Sequence, residues 1–520
     1  MSSNAITEKE DRTTDRPFGG GLPPGREVGP SRIREDDPAL ARTIGMIGAA
    51  LLVFGGMALG FNLYGKAVRV STGWAVLIVA VGLCGLLFHA AYDRDEQFRR
   101  MYMMFSAVLL LVGAFLAVSP WPVYFAQFRY GVICLCLALL FALAFLRNET
   151  EERFRNAVQL GLGGAGAVMA VVGLVGGNIK GDFLVPVGLV LALVGLVYLV
   201  AFVGGRGLSD NLAYFTAVGL ALAGVVVVLV CLGRAFIPHG GSSYFVSYGS
   251  VLLILGLLYT AGGAGMASDA PLFVLTRREL GAFFYSPMAY LVLIGFAVLC
   301  WIPYNLFLGQ LITTNPMAGK PFEPIIQFYF FSFFPVVAVL FGVPVLTMRL
   351  LSEEQRTGTL EVLLTAPVDE PVVVLSKFVA ALITYLVIWL PFGLYLLAIP
   401  LAGGRPFDYR PLLSFLFAVV VTGSAFLSMG LFFSSLTKNQ VASGVLTFAG
   451  MLLLTAVHWG TDPNAEESGW RVVLNHISYI GLWANALEGK ITPRLYVFPL
   501  SMTVLFLFMT VKVLESRKWR

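Results

Sequence analysis

The sequence predicts an all-α, polytopic integral membrane protein of about 14 transmembrane helices, eight followed by six, with both termini cytoplasmic. Three observations lead there. The 520 residues are 58% hydrophobic and only 12% charged, with a mean hydropathy of +0.82. That leaves too few polar residues to cover a water-soluble surface of this size. Apolar runs long enough to cross hydrocarbon as helices recur from about residue 44 to the C-terminus. Finally, 24 of the 35 Lys and Arg fall on one side of the resulting alternation. Cytoplasmic loops collect basic residues, so that side is the inside.

In chain order, residues 1–43 mix charges with Gly and Pro without periodicity, which predicts a disordered cytoplasmic tail. The first apolar run begins too late and is too long for a secretory signal. Eight spans are expected near 44–63, 74–92, 101–118, 130–146, 156–176, 183–203, 212–232 and 246–266. The even-numbered ones end alike, in LLFHAAY (86–92), LLFALAF (139–145), LVYLVAF (196–202) and LLYTAGG (257–263). The offsets of 53, 57 and 61 residues, with the matching links EQFRR (96–100) and ERFRN (152–156), suggest a duplicated two-helix unit over 44–268. Chance similarity among Leu-rich helices is the alternative. Gly56/Gly60 and Gly173/Gly177 form G-x-x-x-G patterns suited to close helix packing.

Six further spans are expected near 287–307, 326–349, 374–400, 411–433, 440–459 and 495–513, within a second domain over 269–520. Their apolar cores carry essentially no Asp, Glu, Lys or Arg. Ion-coupled transporters and membrane enzymes need such groups at depth, so both readings are disfavoured. The chain has no G-x-x-x-x-G-K-[ST] loop for ATP. Cys84, Cys134, Cys136, Cys231 and Cys300 lie in apolar runs and the four His lack ligand spacing, so no metal site is expected.

Two polar stretches stand out. Ser352–Pro367, SEEQRTGTLEVLLTAP, joins two apolar spans on the basic side. Thr357 and Thr359 can cap a short helix there, while Leu360, Val362, Leu363 and Leu364 supply an apolar side. Glu353, Glu354 and Glu361 place negative charge where anionic headgroups would repel it, which favours a protein contact over a lipid surface. In LFVLTRRELGAFFYSP (272–287), Leu272, Leu275, Phe283 and Phe284 can enter the interface while Arg277, Arg278 and Glu279 stay in water. On the opposite side, Phe328, Tyr329, Phe330, Phe331, Phe333 and Phe334 can form an aromatic belt or line a path for a lipid-like or amphipathic substrate. The outer loop Gly460–Arg494 suits short helices on the outer surface.

From Asp269 onward the chain resembles an ABC-2 type permease, the membrane subunit of ATP-driven exporters. It is most similar to permeases associated with gliding motility and nitrous-oxide reductase maturation. TRRELGAFFYSPMAYLVL (276–293), the link with its flanking spans (333–378) and LEGKITPRLYVFPLSMTVLFLF (487–508) carry the resemblance. It implies a coupling helix made by Ser352, Glu353, Glu354, Gly358, Thr359, Leu360, Glu361, Leu363, Leu364 and Pro367, seated on a separate cytoplasmic ABC ATPase. It also implies an interface helix at Arg277, Arg278, Glu279, Phe283 and Phe284. ATP and Mg would sit on the ATPase and no cofactor on this chain, which is then not an enzyme. A second permease copy or paralogue and membrane lipid are the other implied partners, nucleic acid is not, and a bacterial plasma membrane is the implied location. The eight leading spans depart from the six-span pattern. A second reading is a non-transporting anchor or energy-coupling part of an envelope or gliding machine.

Overall fold

Apolar runs of this length must satisfy their backbone hydrogen bonds internally in lipid, which leaves the helix as the available form for each. The computed structural model agrees. It describes residues 38–64, 72–118, 125–179, 183–205, 210–237, 248–285, 287–313, 329, 333–361, 368–401, 410–459 and 469–518. Among these residues the regular structure is helical, and fourteen helices are long and apolar enough to cross a membrane. The expected tail (1–37) and the aromatics Phe328, Phe330 and Phe331 lie outside the described residues, as does the side chain of Phe333.

The order is α1 (Pro38–Tyr64), α2 (Thr72–Tyr92), α3 (Glu96–Val118), α4 (Phe125–Asn148), α5 (Glu152–Ile179), α6 (Leu189–Val203), α7 (Asp210–Ala235) and α8 (Ser250–Ala267). After these come α9 (Pro271–Tyr285), α10 (Pro287–Thr313), α11 (Phe333–Thr347), α12 (Ser352–Thr357), α13 (Glu370–Leu401), α14 (Arg410–Leu436) and α15 (Gln440–Trp459). Two short helices, α16 (Gly469–Ile477) and α17 (Tyr479–Leu487), precede α18 (Pro493–Lys518). The chain packs as two units, Met1–Phe98 and Arg99–Arg520.

In the described part of the first unit, α1 and α2 form an antiparallel hairpin closed by glycine. A Cβ at Gly48 would lie 2.9 Å from the Gly82 carbonyl oxygen, and one at Gly82 would lie 2.7 Å from the Leu52 nitrogen. The expected pair Gly56/Gly60 does not perform this role, since a Cβ at either meets nothing within 4 Å. The hairpin end is held by Asp93, whose carboxylate lies 3.1 Å from Arg42 Nε and 3.0 Å from His89 Nε2. Burial alone would raise the Asp93 pKa, but the Asp95 N–H and the Arg42 guanidinium outweigh it and hold the carboxyl below its ordinary 3.8. The stabilisation is therefore fully present above that ordinary value and is lost as pH falls through the lowered one. We expect Asp93→Asn to cost about 1.5–3 kcal/mol, the range for a hydrogen bond to a charged group. Hydrogen exchange over 89–98 at pH 7 checks this, with roughly tenfold or greater acceleration expected in the variant.

In the second unit the helix pairs α3/α4, α5/α6 and α7/α8 also meet at glycine. Gly113 faces Gly131, Gly166 faces Gly195, and Gly224 faces Gly256; a Cβ at Gly131 or Gly195 would lie 2.8 or 2.7 Å from backbone of the facing helix, and one at Gly224 closer still. Of the expected pair in α5, Gly173 packs against Gly188 and Ala192, and Gly177 against Leu184. Two buried tyrosines at equivalent places tie neighbouring helices together. Tyr198 donates to the Leu135 carbonyl and Tyr259 to the Ala192 carbonyl, each at 2.6 Å. A tyrosine hydroxyl in hydrocarbon must find an acceptor, and these take a second lone pair on helix carbonyls.

The later helices share one aromatic-rich core. Trp389 on α13 contacts Phe296, Phe392, Phe415 and Trp483, the last at 5.7 Å between ring centroids. α17 belongs to this core: Leu482, Trp483 and Ala486 are buried, and Trp483 Nε1 donates to Thr422 Oγ1 at 3.1 Å. The expectation of short helices between the last two spans holds for α16 and α17. α17 does not lie free on a surface: its apolar side packs against α14, α15 and α18. Tyr329 is likewise core, fully buried against Phe307 and Phe392, with its hydroxyl 3.3 Å from the Phe392 carbonyl. It does not line an open path. Phe334 is half-buried.

Candidate functional site

The polar link begins where α11 ends. α11 closes in a turn at 348–351, and α12 starts with Leu351 at its N-cap and no side-chain cap of its own. Its leading N–H groups would be orphaned in a buried setting. Ser434, near the end of α14, supplies the missing acceptor: its Oγ lies 3.0 Å from both the Leu351 and Ser352 nitrogens. Gln355 then donates through Nε2 to the Ser435 carbonyl at 2.9 Å, which also accepts from Arg517 of α18 at 2.8 Å. Ser352 is itself buried and donates to the Met348 carbonyl. The link is thus seated on the ends of α14 and α18.

α12 stops after Thr357, whose hydroxyl donates back to the Glu353 carbonyl at 2.9 Å and pairs with the Thr359 hydroxyl at 2.9 Å. Gly358 ends it with φ of 76°, a left-handed conformation that glycine adopts without Cβ strain. Arg356, Gly358, Thr359 and Glu361 are exposed at the tip, whereas Leu360 is buried in the protein's own core. Leu360 therefore does not contribute to a free apolar side. Val362, Leu363, Leu364 and Pro367 lie outside the described residues.

The three link carboxylates have separate surroundings. Glu353 pairs with Arg349 at 3.1 Å in a half-exposed i,i+4 contact, a kind that contributes little. Glu354 turns inward, with Oε1 2.7 Å from Lys377 Nζ of α13. The same ammonium lies 3.1 Å from Glu279 Oε2 of α9. Lys377 is 1% exposed, so its charge is tolerable only because two carboxylates flank it. Glu361 is the remaining exposed carboxylate.

The ion triad binds three elements far apart in sequence: α9, the link and α13. Phe283, Val292, Leu346 and Leu350 wall a cavity of about 330 Å³ beside it, with Arg349 and Glu353 at the edge. Arg277 also turns back on the protein, donating to the Met266 and Ser268 carbonyls at 2.9 Å each and closing the end of α8. The sequence reading placed Arg277 and Glu279 in water. Both are drawn inward, because unsatisfied carbonyls at the end of α8 and the ammonium of Lys377 outcompete solvent. Arg278 is exposed as expected, Phe283 and Phe284 are half-buried, and Phe273 and Val274 are the large apolar residues of α9 that stay exposed.

A family model described as ABC-2 family transporter protein matches residues 132–465, well over half of the chain. The chain belongs to the ABC-2 transporter family. The match starts within α4 and runs past the end of α15, so it takes in leading spans as well as the link. No curated protein and no solved structure gives a match. As an ABC-2 transporter protein the chain is a multi-pass membrane component of an ABC system, a family whose members associate with an ATP-binding subunit.

Within this ABC-2 protein, Lys377, Ser434, Ser435 and Gln355 are the residues that sequence reasoning passed over. Lys377 had one signal, a lone cation between VVVLS and FVAALI. The apolar run before it already belongs to α13, so this cation lies inside a helix and not in a loop.

Proposed function

We propose that this chain is the permease subunit of an ATP-driven exporter whose 352–361 link docks on a cytoplasmic ABC ATPase and passes its movement into the membrane. The observation that carries this reading is the anchoring of the link. Its base is tied to α14 by Ser434, to α18 through the Ser435 carbonyl, and to α9 and α13 through Glu354, Lys377 and Glu279. A force on the exposed tip can therefore reach four helices through the hydrogen bonds and ion pairs at the link's base. A connector serving only to join two spans has no use for such bracing. In this reading both termini are cytoplasmic, the membrane is a bacterial plasma membrane, a second permease copy completes the path, and residues 44–268 form a leading module of repeated hairpins. The substrate class is lipid-like or amphipathic. The second reading, an anchor or energy-coupling part of an envelope machine that passes no substrate, is served equally well by the same link, and measured flux separates the two.

The docking test follows from the separate surroundings of the acids. Glu361→Lys reverses an exposed charge at the tip and touches nothing in the core, so the protein should insert and remain stable. We expect co-purification with the ATPase to fall at least tenfold, as a charge pair at a protein contact carries about 1.5 kcal/mol or more. Normal co-purification together with normal ATP turnover in membranes would remove Glu361 from the docking surface.

A further inference from the structure

A second opening lies at the other end of the same helices. The link, Lys377 and Ser434 mark the start of α13 and the end of α14, whereas this crevice is formed by the end of α13 and the start of α14, facing α6 and α8. Its volume is about 290 Å³ and its lining side chains are apolar, apart from the buried indole N–H of Trp389. Leu193, Leu255 and Leu258 form one wall, and Trp389, Gly393 and Leu416 the other. All four helices are candidate membrane spans.

We propose that this crevice is a binding site for one acyl chain of a membrane lipid, held between the leading helices and the later six-span core. The medium around it decides the occupant. Leu258 and Leu416 are exposed on membrane-spanning segments, so the rim faces lipid tails, and close-packed interiors do not leave such a space unfilled. A headgroup is excluded, because no charged side chain lines the crevice, and the one polar side-chain group among its lining residues, the buried indole N–H of Trp389, cannot replace a headgroup's water. A flexible chain fits: the volume accommodates on the order of ten methylene-sized groups at about 30 Å³ each, the share of a water molecule in the liquid. Gly393 supports the reading independently. A Cβ there would meet nothing within 4 Å, so no neighbouring helix requires glycine at this point of α13. What its missing side chain leaves is room in the crevice. The site gives α6 and α8 a role in the permease, and it is independent of the docking reading.

The test uses the full-length protein in nanodiscs containing phosphatidylethanolamine with a photoactivatable diazirine midway along one acyl chain. Adducts are mapped by mass spectrometry. We expect those on Leu193, Ile254 and Leu413, which line the crevice and are partly accessible, to exceed those on the exposed Leu222 and Leu229 of α7. Gly393→Trp should fill the space and cut the crevice adducts about tenfold while leaving the α7 adducts unchanged. Gly295→Trp, at another glycine with open space around it, should change neither. If the crevice residues label no more than α7 in the unaltered protein, the chain there is bulk lipid and the proposal fails. It also fails if Gly393→Trp folds and labels like the unaltered protein. Wild-type labelling decides the matter even if the tryptophan variant does not fold.

Discussion

Lys377→Met is expected to destabilise the protein by about 3–5 kcal/mol, the usual consequence of removing one partner from a buried ion pair. Methionine keeps most of the side-chain volume, so the loss is electrostatic and not a cavity. Glu279 and Glu354 would then face one another across the cavity with no cation between them. Neutralising all three, with Glu279→Gln and Glu354→Gln added, should recover much of the loss, because a buried ion cluster is often replaceable by neutral groups at little cost. Thermal unfolding of the purified protein measures both steps. The recovered triple variant then serves a second purpose. If the triad transmits force as well as stabilising the fold, ATP turnover coupled to transport stays low in the triple variant after its stability returns. Breaking the half-exposed Arg349–Glu353 pair should cost under about 1 kcal/mol and serves as the control. A Lys377→Met protein as stable as the unaltered one would show that the triad is not what holds α9 and the link to α13.

The helices were legible in the sequence because the signal is additive over about twenty residues, and single misplaced residues cannot cancel it. Each expected span has its helix, usually two to six residues longer at an end. The link was legible as well, as a polar run between two apolar ones. What could not be read was where each polar side chain turns. Glu353, Glu354 and Glu361 look alike in sequence, yet one is paired on the surface, one is buried on Lys377, and one is free in solvent. The deciding partners lie 23 and 75 residues away for Glu354, through Lys377 and then Glu279. No local pattern reports such distances. The glycines show the same limit. Gly56/Gly60 has the spacing of a packing motif and packs on nothing, while Gly48, which has no such spacing toward α2, meets the backbone of Gly82. Spacing fixes which residues share a face of a helix, but not which face the neighbour covers.

Ser434→Ala is the second large effect, and it separates the seat of the link from its charges. Ser434 is fully buried, and its hydroxyl oxygen is the acceptor for the Leu351 and Ser352 N–H groups, both at 3.0 Å. Alanine fits the space but accepts nothing, so two backbone donors lose their partner at a place water does not reach. Each such loss costs roughly 1–3 kcal/mol; with some relaxation of the turn at 348–351, a total of about 2–4 kcal/mol is expected. The loss should be local, since the α12 N-terminus can lift from α14 without opening the aromatic core around Trp389. Hydrogen exchange distinguishes the cases: faster exchange confined to 350–357 marks release of the link, whereas acceleration across α13 and α14 marks general unfolding. Ser434→Thr retains the hydroxyl and should restore protection at 351 and 352 to the extent that its extra methyl is accommodated. Unchanged exchange at Leu351 and Ser352 in the alanine variant would mean that another group accepts these N–H bonds, and the link would not be seated through Ser434. Release confined to the link, with co-purification of the ATPase retained and coupled turnover lost, is the result expected of a lever that still docks but no longer pulls on α14.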